Sequence, residues 1–219
     1  MSALQKDPEA LICPDHNCRI CPRLAQFRDE NRKKFPDKFN APVPSFGPIE
    51  AEILIVGLAP GLKGANFSGR PFTGDFAGEL LYGTLLKYGL AEGEFKARAD
   101  DGLQLVNCRI TNAVRCVPPE NKPTGAEING CQRFLISQIE QMPNLKLIIS
   151  LGLVSHNAVL KTLGKKLSGY KFAHQAHHKL QNGLTLIDSY HCSKYNTSTR
   201  RLTEAMFHDV FEDALQILM

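Results

Sequence analysis

A glycine-rich stretch between Gly57 and Asp75 constrains this chain more than any other feature of the sequence. It follows an apolar run, Ile53–Val56, that has the length and composition of a buried strand. Five of its nineteen residues are glycine and two are proline. Glycine has no Cβ, so such a loop can bring its backbone close to a ligand. A helical pattern begins at Phe76, and the order strand, glycine-rich loop, helix is typical of the ligand-binding edge of an α/β sheet.

Further apolar runs predict additional strands that alternate with helices along the chain. The predicted strands are Ala51–Val56, Gln104–Asn112, Lys146–Leu151 and Leu184–Tyr190. The predicted helices are Arg23–Lys34, Phe76–Tyr88, one that opens with the capping box Thr124–Glu127, one that ends near Leu163, and Ser198–Leu218. This alternation predicts a parallel sheet covered on both faces. The expected fold class is α/β, a three-layer α/β/α domain with a four-stranded parallel sheet.

Length and composition fit one domain. The chain has 219 residues, 43% hydrophobic and 22% charged, which is enough for one buried core and too little to require two. We therefore expect residues 1–219 to form a single domain, with a polar and irregular N-terminal segment over residues 1–50. The sequence has no apolar run long enough to span a bilayer and no apolar signal sequence, which predicts a cytoplasmic protein without a membrane partner. A net charge of +4 permits a polyanionic partner without requiring one.

Seven cysteines in a chain expected in the cytoplasm indicate metal binding rather than disulfides. Cys18 and Cys21 form a C-x-x-C pair that can hold one metal centre. One hypothesis completes the site with Cys116 and Cys131. A second uses Cys13, because the spacing Cys13-x4-Cys18-x2-Cys21 matches the ligand run of plant-type ferredoxins. Cys131 also fits the apolar stripe of a predicted helix, where it would be a small core residue. Spacing alone does not distinguish zinc from an iron–sulfur cluster.

Polar residues that follow the predicted strands converge on one edge of the expected sheet. They are Asn112, His191 and, beyond the glycine-rich loop, Asp75. Each has a simpler structural interpretation: Asp75 as a helix N-cap, Asn112 as a turn former and His191 as a solvated turn residue. Residues 165–180 are basic and interleaved with aromatic side chains, so they either contact phosphate groups or form a solvated loop.

Taken together and in this order, the segments resemble the uracil-DNA glycosylase superfamily, specifically its iron–sulfur branch. The resemblance covers the chain from about residue 18 to its end. The first loop reads G-L-A-P, which resembles family 5 rather than family 4, where G-E-A-P-G is usual. The matching motifs are C-R-I-C-P-R-L from Cys18, V-G-L-A-P-G from Val56, N-x-S-G-R-x-F-T-G-D from Asn66, I-T-N-A-V-R-C-V-P-P from Ile110, Cys131, L-G at 151–152, H-C-S-x-x-N-T from His191 and N-T-x-T-x-R-L-T from Asn196.

The resemblance implies an enzyme, a monofunctional DNA glycosylase that hydrolyses the N-glycosidic bond of uracil in DNA and so initiates base excision repair. It implies a monomer that acts on DNA containing uracil or other deaminated bases. It also implies a [4Fe–4S] cluster of structural role, whose ligands are Cys18, Cys21, Cys116 and Cys131.

The resemblance further assigns roles within the site. The base, flipped out of the duplex, stacks on Phe72, and Asn112 presents its amide to the Watson–Crick edge. His191 donates a hydrogen bond to a base oxygen as negative charge develops there. The catalytic residues are then Asp75, His191 and Asn112. The base-binding residues are Gly57, Leu58, Ala59, Phe72 and Asn112, and the DNA-binding residues are Ser193, Asn196, Thr197 and Arg200.

Leu58 departs from the pattern of the superfamily, because many of its members have a polar residue in this motif that orients the attacking water. Asp75 is the nearest carboxylate that can substitute for it. The wedge that enters the duplex is not assigned by the motif, and Tyr195 is a candidate.

Two other classes of protein are alternatives. One is a small electron-transfer protein built on Cys13, Cys18 and Cys21. The other is a nucleotide-binding module that uses the glycine-rich loop, which is disfavoured because Lys63 does not fall at the Walker A spacing.

Overall fold

A five-stranded sheet forms the middle layer of the computed structural model, which describes residues 11–219. In the described residues, the strands in chain order are β1 (Ile53–Gly57), β2 (Ala91–Glu92), β3 (Gln104–Leu105), β4 (Cys108–Asn112), β5 (Leu147–Leu151), β6 (His177–Lys179) and β7 (Thr185–Ser189). The central sheet has the order β4-β1-β5-β7-β6, and β2 pairs with β3 in a separate antiparallel ribbon. The predicted absence of a signal sequence concerns residues 1–10, which lie outside the described residues.

Helices cover both faces of this sheet, because its apolar strands must be buried on both sides. They are α1 (Pro22–Lys34), α2 (Ala65–Ser68), α3 (Phe76–Lys87), α4 (Gly125–Glu140), α5 (Leu153–Thr162), α6 (Lys194–Ser198) and α7 (Glu204–Leu218). Successive side chains of a strand point to opposite faces. Ile53 and Ile55 accordingly pack with α3 and α7, whereas Leu54 and Val56 pack with α4 and α5. No helix within residues 11–219 combines the length and apolar character needed to cross a membrane.

The predicted three-layer α/β/α class is confirmed, but the predicted number of four strands was too low by one. The fifth strand, β6, pairs antiparallel with β7 and lies in the basic segment 165–180. Its three residues, His177–Lys179, contain no apolar residue, so hydrophobic patterning could not reveal it. Pairing with β7 and a buried side-chain network create this strand.

That network centres on Asp188 of β7, whose side chain is 0% exposed. Its Oδ1 lies 2.7 Å from both Ser150 Oγ and His156 Nδ1, and its Oδ2 lies 2.9 Å from His178 Nε2. The Nε2 atom of His156 lies 3.0 Å from the carbonyl oxygen of Tyr170. These contacts fasten β6 and the segment that precedes it to the middle of the sheet.

A residue with a left-handed backbone changes the bounds of two predicted elements. The predicted strand Gln104–Asn112 is divided into β3 and β4 at Asn107, which has φ of 52°. The predicted final helix, Ser198–Leu218, begins later than expected, at Glu204, because the separate short helix α6 ends at Ser198 and Arg200 has φ of 57°. Asparagine tolerates this conformation and arginine seldom adopts it, so the change at Arg200 had the weaker signal in the sequence.

A buried ion pair holds the glycine-rich loop against the rest of the domain. The guanidinium of Arg70 donates two hydrogen bonds of 2.7 Å to the carboxylate of Asp101, and the two side chains are 4% and 0% exposed. The guanidinium carbon also lies 5.2–5.7 Å from the ring centroids of Phe46, Tyr82 and Phe95. Hydrogen bonds from Arg70 hold the pKa of Asp101 well below its usual range.

Replacing Asp101 by asparagine leaves the Arg70 charge buried without its carboxylate. Breaking a buried pair in this way costs about 3–5 kcal/mol, so we expect a loss of that size in the free energy of unfolding measured with urea at neutral pH. Because the pKa of Asp101 is depressed in the folded state, the contribution is fully present above about pH 4 and is lost as the pH falls through the folded-state pKa.

The neighbouring residue provides a matched control. Asp100 pairs with Arg98 at the surface, where both side chains are exposed. Because exposed pairs contribute little, we expect Asp100→Asn to unfold at nearly the urea concentration of the wild type. Equal losses in the two variants would contradict a special role of the buried pair.

Candidate active site and candidate metal centre

A cavity of about 720 Å³ opens at the carboxyl edge of the parallel strands. Gly57 and Asn112 are register partners at the ends of β1 and β4, and His191 follows two residues after β7. Leu58, Ala59 and the carboxylate residue Asp75 line the cavity together with His191. The topology therefore brings the polar residues predicted at strand ends to one place.

The base-stacking candidate Phe72 lies beside three other predicted site residues. Its ring stacks near that of His191, with centroids 5.9 Å apart and planes inclined by 30°. At Gly57, a Cβ atom would lie 2.3 Å from Asn112 Oδ1 and 2.6 Å from Phe72 Cζ. Gly57 is thus required by a close approach of two side chains to the backbone. Phe72 and Asn112 are 6% and 4% exposed and are not among the residues that line the open cavity. Together with Gly57 they form a buried wall next to it, called the inner wall below.

Asp75 is both the N-cap of a helix and a lining residue of the cavity. As predicted for an N-cap, it begins α3, and its Oδ1 accepts a hydrogen bond of 3.2 Å from the Gly78 backbone N–H. The same carboxylate lines the cavity, where a Cβ atom at Gly64 would lie 2.5 Å from its Oδ2. Burial raises the pKa of Asp75, and the backbone N–H groups of Ala77 and Gly78 act in the opposite direction.

His191 faces the cavity as a neutral ring. It keeps part of its surface open, yet burial by the surrounding protein lowers the pKa of His191 to about 4. A neutral imidazole has one N–H donor and one acceptor, which suits a hydrogen bond to a base oxygen. The amide Nδ2 of Asn196 donates a 2.8 Å hydrogen bond to the His191 carbonyl oxygen and thereby holds its backbone.

The residues predicted to bind DNA occupy three different environments. Ser193 caps α6 and lines the cavity. Asn196 and Thr197 donate side-chain hydrogen bonds to nearby backbone carbonyls. Arg200 and the wedge candidate Tyr195 are exposed, Tyr195 to 72%.

The residues that line the cavity include several that the sequence analysis did not assign to the site, among them Leu62, Lys63 and Asn121. Leu62 and Lys63 lie in the glycine-rich loop, and Asn121 comes from the loop after β4. Leu62 and Lys63 could have been predicted from their position in the glycine-rich loop. Asn121 follows two prolines in an irregular segment and has φ of 57°, so only the folded chain reveals its proximity. Lys63 and Lys194 place positive charge around the opening.

Four cysteines surround a second, small cavity between α1, α4 and the segment that follows β4. They are Cys18, Cys21, Cys116 and Cys131. Cys13 is exposed and does not line this cavity. Leu24 and Phe134 close the cavity on its apolar side. The fold therefore assembles the first of the two cysteine sets that the spacing left open.

The chemistry of the four side chains suits a metal centre. Thiolates bind zinc and iron–sulfur clusters alike, so this set of four cysteines fits either group. Burial raises the pKa of Cys131 to about 12, so ligation there must displace the thiol proton.

Comparisons with known proteins agree with this architecture. The Uracil DNA glycosylase superfamily matches residues 44–215. A type-5 uracil-DNA glycosylase of Thermus thermophilus is 40% identical over 216 residues, which are 96% of this chain and 98% of that protein. A type-5 enzyme of Mycobacterium leprae is 39% identical over 91% of each chain. A type-4 uracil-DNA glycosylase of Pyrobaculum aerophilum is 34% identical over 68% of this chain and 63% of that protein.

The chain therefore belongs to the uracil DNA glycosylase superfamily. Its similarity to the type-5 relatives extends over nearly the whole chain, so the resemblance to the type-5 branch that the motifs indicated is confirmed.

The electrostatics of the cavity can be tested directly by NMR. We expect the His191 ring to remain neutral until the pH falls to about 4, because the cavity solvates an imidazolium poorly. The ring carbon-bound protons report this titration, and comparison with His191→Gln assigns the resonance. A midpoint near the ordinary histidine value of about 6.5 would contradict the enclosed environment described above.

Proposed function

We propose that this chain is a type-5 uracil-DNA glycosylase, which takes uracil out of the DNA stack and hydrolyses its N-glycosidic bond. One observation carries the proposal: Gly57, Phe72, Asn112 and His191 meet beside a cavity at the carboxyl edge of the sheet, in a chain of this superfamily. We further propose that residues 1–219 act as a single domain and a monomer in the cytoplasm, where DNA is repaired.

Base recognition follows from the inner wall of the site. Flipping a nucleotide costs a few kcal/mol, which stacking and hydrogen bonds in the pocket must offset. We assign the stacking surface to Phe72 and the reading of the Watson–Crick edge to the Asn112 amide, which offers both a donor and an acceptor. Gly57 lets these two groups approach the same stretch of backbone, and Leu58 and Ala59 form an apolar wall. Such a wall does not require a particular polar group on the base, so the pocket can accept other deaminated bases as well.

Bond cleavage needs stabilisation of a departing base and an oriented water. The bond between C1′ of the sugar and N1 of uracil breaks with its electron pair on the base, and water adds to C1′. Neutral His191 donates a hydrogen bond to the base oxygen on which negative charge develops. Asp75 accepts the water proton, and the raised pKa of its buried carboxyl makes it a stronger base than an exposed aspartate.

The rim of the cavity suits contact with the DNA backbone. We assign phosphate contacts to Lys63, Lys194, Ser193 and Arg200, together with the predicted pair Asn196 and Thr197. Binding through such contacts weakens as the salt concentration rises. The exposed ring of Tyr195 beside this rim is our candidate for the wedge that fills the space left by the flipped base.

We also propose that Cys18, Cys21, Cys116 and Cys131 hold a [4Fe–4S] cluster. The four cysteines line one small buried cavity and are the ligands that the resemblance to the iron–sulfur branch implies, which supports this choice. When bound, such a cluster supplies a covalent cross-link between the N-terminal segment, the chain after β4 and α4. The proposed steps of base release require no electron.

The proposed activity is tested with a duplex that contains one uracil. We expect the purified protein to generate abasic sites, which are detected as strand breaks after alkali treatment, and to leave the matched thymine duplex intact. His191→Ala should lower the single-turnover rate by about 10²–10³-fold, as loss of one oxyanion donor does in other enzymes. Equal product from the wild type and His191→Ala would exclude this site as the source of the activity.

The role of Asp75 is tested by Asp75→Asn, because asparagine caps a helix as well as aspartate does. The fold should be retained, and the thermal unfolding midpoint measures this directly. Loss of the base should slow single-turnover uracil release by about 10²–10⁴-fold. A normal rate would move the base role to another group, with Asn112 the first candidate.

The close approach at Gly57 is tested by a pair of glycine variants. Gly57→Ala introduces a Cβ atom that must displace Asn112 or Phe72. Because misplacement by about 1 Å can cost 10²-fold in rate, we expect a decrease of that order in kcat/KM for the uracil duplex. At Gly83 in α3 a Cβ atom meets nothing within 4 Å, so Gly83→Ala should keep full activity. Full activity of Gly57→Ala would show that the inner wall does not bind the base.

A further inference from the structure

Two arginine side chains are buried next to the four cysteines. Arg28 on α1 is 1% exposed, and Arg115 in the segment after β4 is 4% exposed. A guanidinium group keeps its charge at every physiological pH. Burying a charge is costly unless it is paired and hydrogen-bonded. Each arginine therefore needs a nearby anion.

The contacts of Arg28 leave most of its donors unused. Its Nη1 donates a 2.9 Å hydrogen bond to the Cys18 carbonyl oxygen. Its Nε and Nη2 atoms have no hydrogen-bond partner among the described residues. The nearest carboxylate, that of Asp29, lies 3.9 Å from Arg28 Nε and is hydrogen-bonded at 2.6 Å to Arg19. Burial raises the pKa of Cys116 to about 11, and the charge of Arg28 beside it acts in the opposite direction.

Arg115 shows the same incomplete pairing on the other side of the cysteines. Its Nε donates to the Val43 carbonyl oxygen at 2.8 Å, and its Nη1 donates to Thr111 Oγ1 at 3.0 Å. Its Nη2 has no partner in the part of the chain that the structure describes. Its backbone N–H points to Cys131 Sγ at 3.4 Å. Within residues 11–219, Arg115 has no carboxylate partner, and the carboxylate nearest to Arg28 is shared with Arg19.

We propose that Arg28 and Arg115 are the counter-charges of the metal centre, and that their free N–H groups face its sulfur atoms and set its reduction potential. This inference rests on the proposed [4Fe–4S] cluster. Four thiolates bring four negative charges and the resting iron–sulfur core brings two positive charges, which leaves two negative charges in a buried cavity. The two guanidinium groups neutralise them.

The charge balance has a defined consequence for redox behaviour. A neighbouring buried cation stabilises the more negative, reduced form of a cluster and disfavours its oxidation. Removing either arginine should therefore shift the reduction potential to a more negative value. It should also hasten oxidative loss of the cluster in air.

The test compares Arg28→Gln, Arg115→Gln, Arg28→Lys and Arg133→Gln after anaerobic reconstitution with iron and sulfide. Arg133 is the matched control, because it lies on α4 two residues from Cys131 and its side chain is exposed. The readouts are iron and sulfide content, the midpoint potential by protein-film voltammetry, and the decay of the cluster absorbance in air. We expect Arg28→Gln and Arg115→Gln to shift to a more negative potential and to lose the cluster severalfold faster. Arg28→Lys should lie between them and the wild type, and Arg133→Gln should match the wild type.

The outcomes separate this inference from the cluster itself. If the wild-type protein takes up no iron and sulfide, both the proposed cluster and the counter-charge role are overturned. The uracil assay above does not depend on that result. If Arg28→Gln and Arg115→Gln both take up the cluster and keep the wild-type reduction potential and cluster lifetime, only the counter-charge role is overturned. If circular dichroism shows that Arg28→Gln does not fold, the inference is tested with Arg115→Gln and Arg28→Lys instead. A wild-type reduction potential and cluster lifetime in both variants overturn the inference. A more negative potential in Arg115→Gln supports it.

Discussion

The ion pair between Arg70 and Asp101 is the interaction on which the base pocket depends most. It joins Arg70 of the glycine-rich loop to Asp101 outside that loop. The many glycines of the loop would otherwise leave this part of the chain with large conformational freedom. Arg70 Nε also donates to Thr73 Oγ1 at 2.8 Å, and the Tyr82 hydroxyl donates to the Pro71 carbonyl oxygen at 2.7 Å. Phe72 lies between these anchored residues with φ of 52°. The proposed stacking surface is therefore already ordered in the free protein, which would reduce the ordering cost of binding a base.

Asp75 has a structural role in the fold and a proposed chemical role in the cavity. Asp75 caps α3 and presents its carboxylate to the cavity, so the hydrogen bonds that begin the helix also orient the proposed base. Burial favours the neutral form of both Asp75 and His191, raising the pKa of one and lowering that of the other. A site that solvates charge poorly strengthens each hydrogen bond made within it. This property suits a reaction in which negative charge appears on a base that is bound by a few directed contacts.

Sequence patterns revealed the parts of the fold that are determined by burial along a single element. The runs at Ile53–Val56 and Lys146–Leu151 are apolar because both faces of their strands are covered, and they were found for that reason. The strand β6 was missed because its residues are polar and its pairing depends on contacts of His178 with Asp188, ten residues away. Asn121 was missed for the same kind of reason, since its position at the cavity is determined by the path of a loop. Spacing alone left the choice between Cys13 and the pair Cys116 and Cys131 open. The resemblance implied the pair, and the fold places that pair beside Cys18 and Cys21.

The candidate metal centre and the base pocket share one stretch of backbone. Asn112 ends β4, and the chain then runs directly to Cys116 at the other cavity. Two hydrogen bonds join this stretch to the first loop, from Ala113 N to Gly57 O at 2.9 Å and from Val114 N to Leu58 O at 3.0 Å. A centre that fixes Cys116 therefore also restrains the backbone that carries Asn112. The proposed cluster would therefore support base recognition through this connection, because the amide proposed to read the base begins the segment that the cysteines would hold.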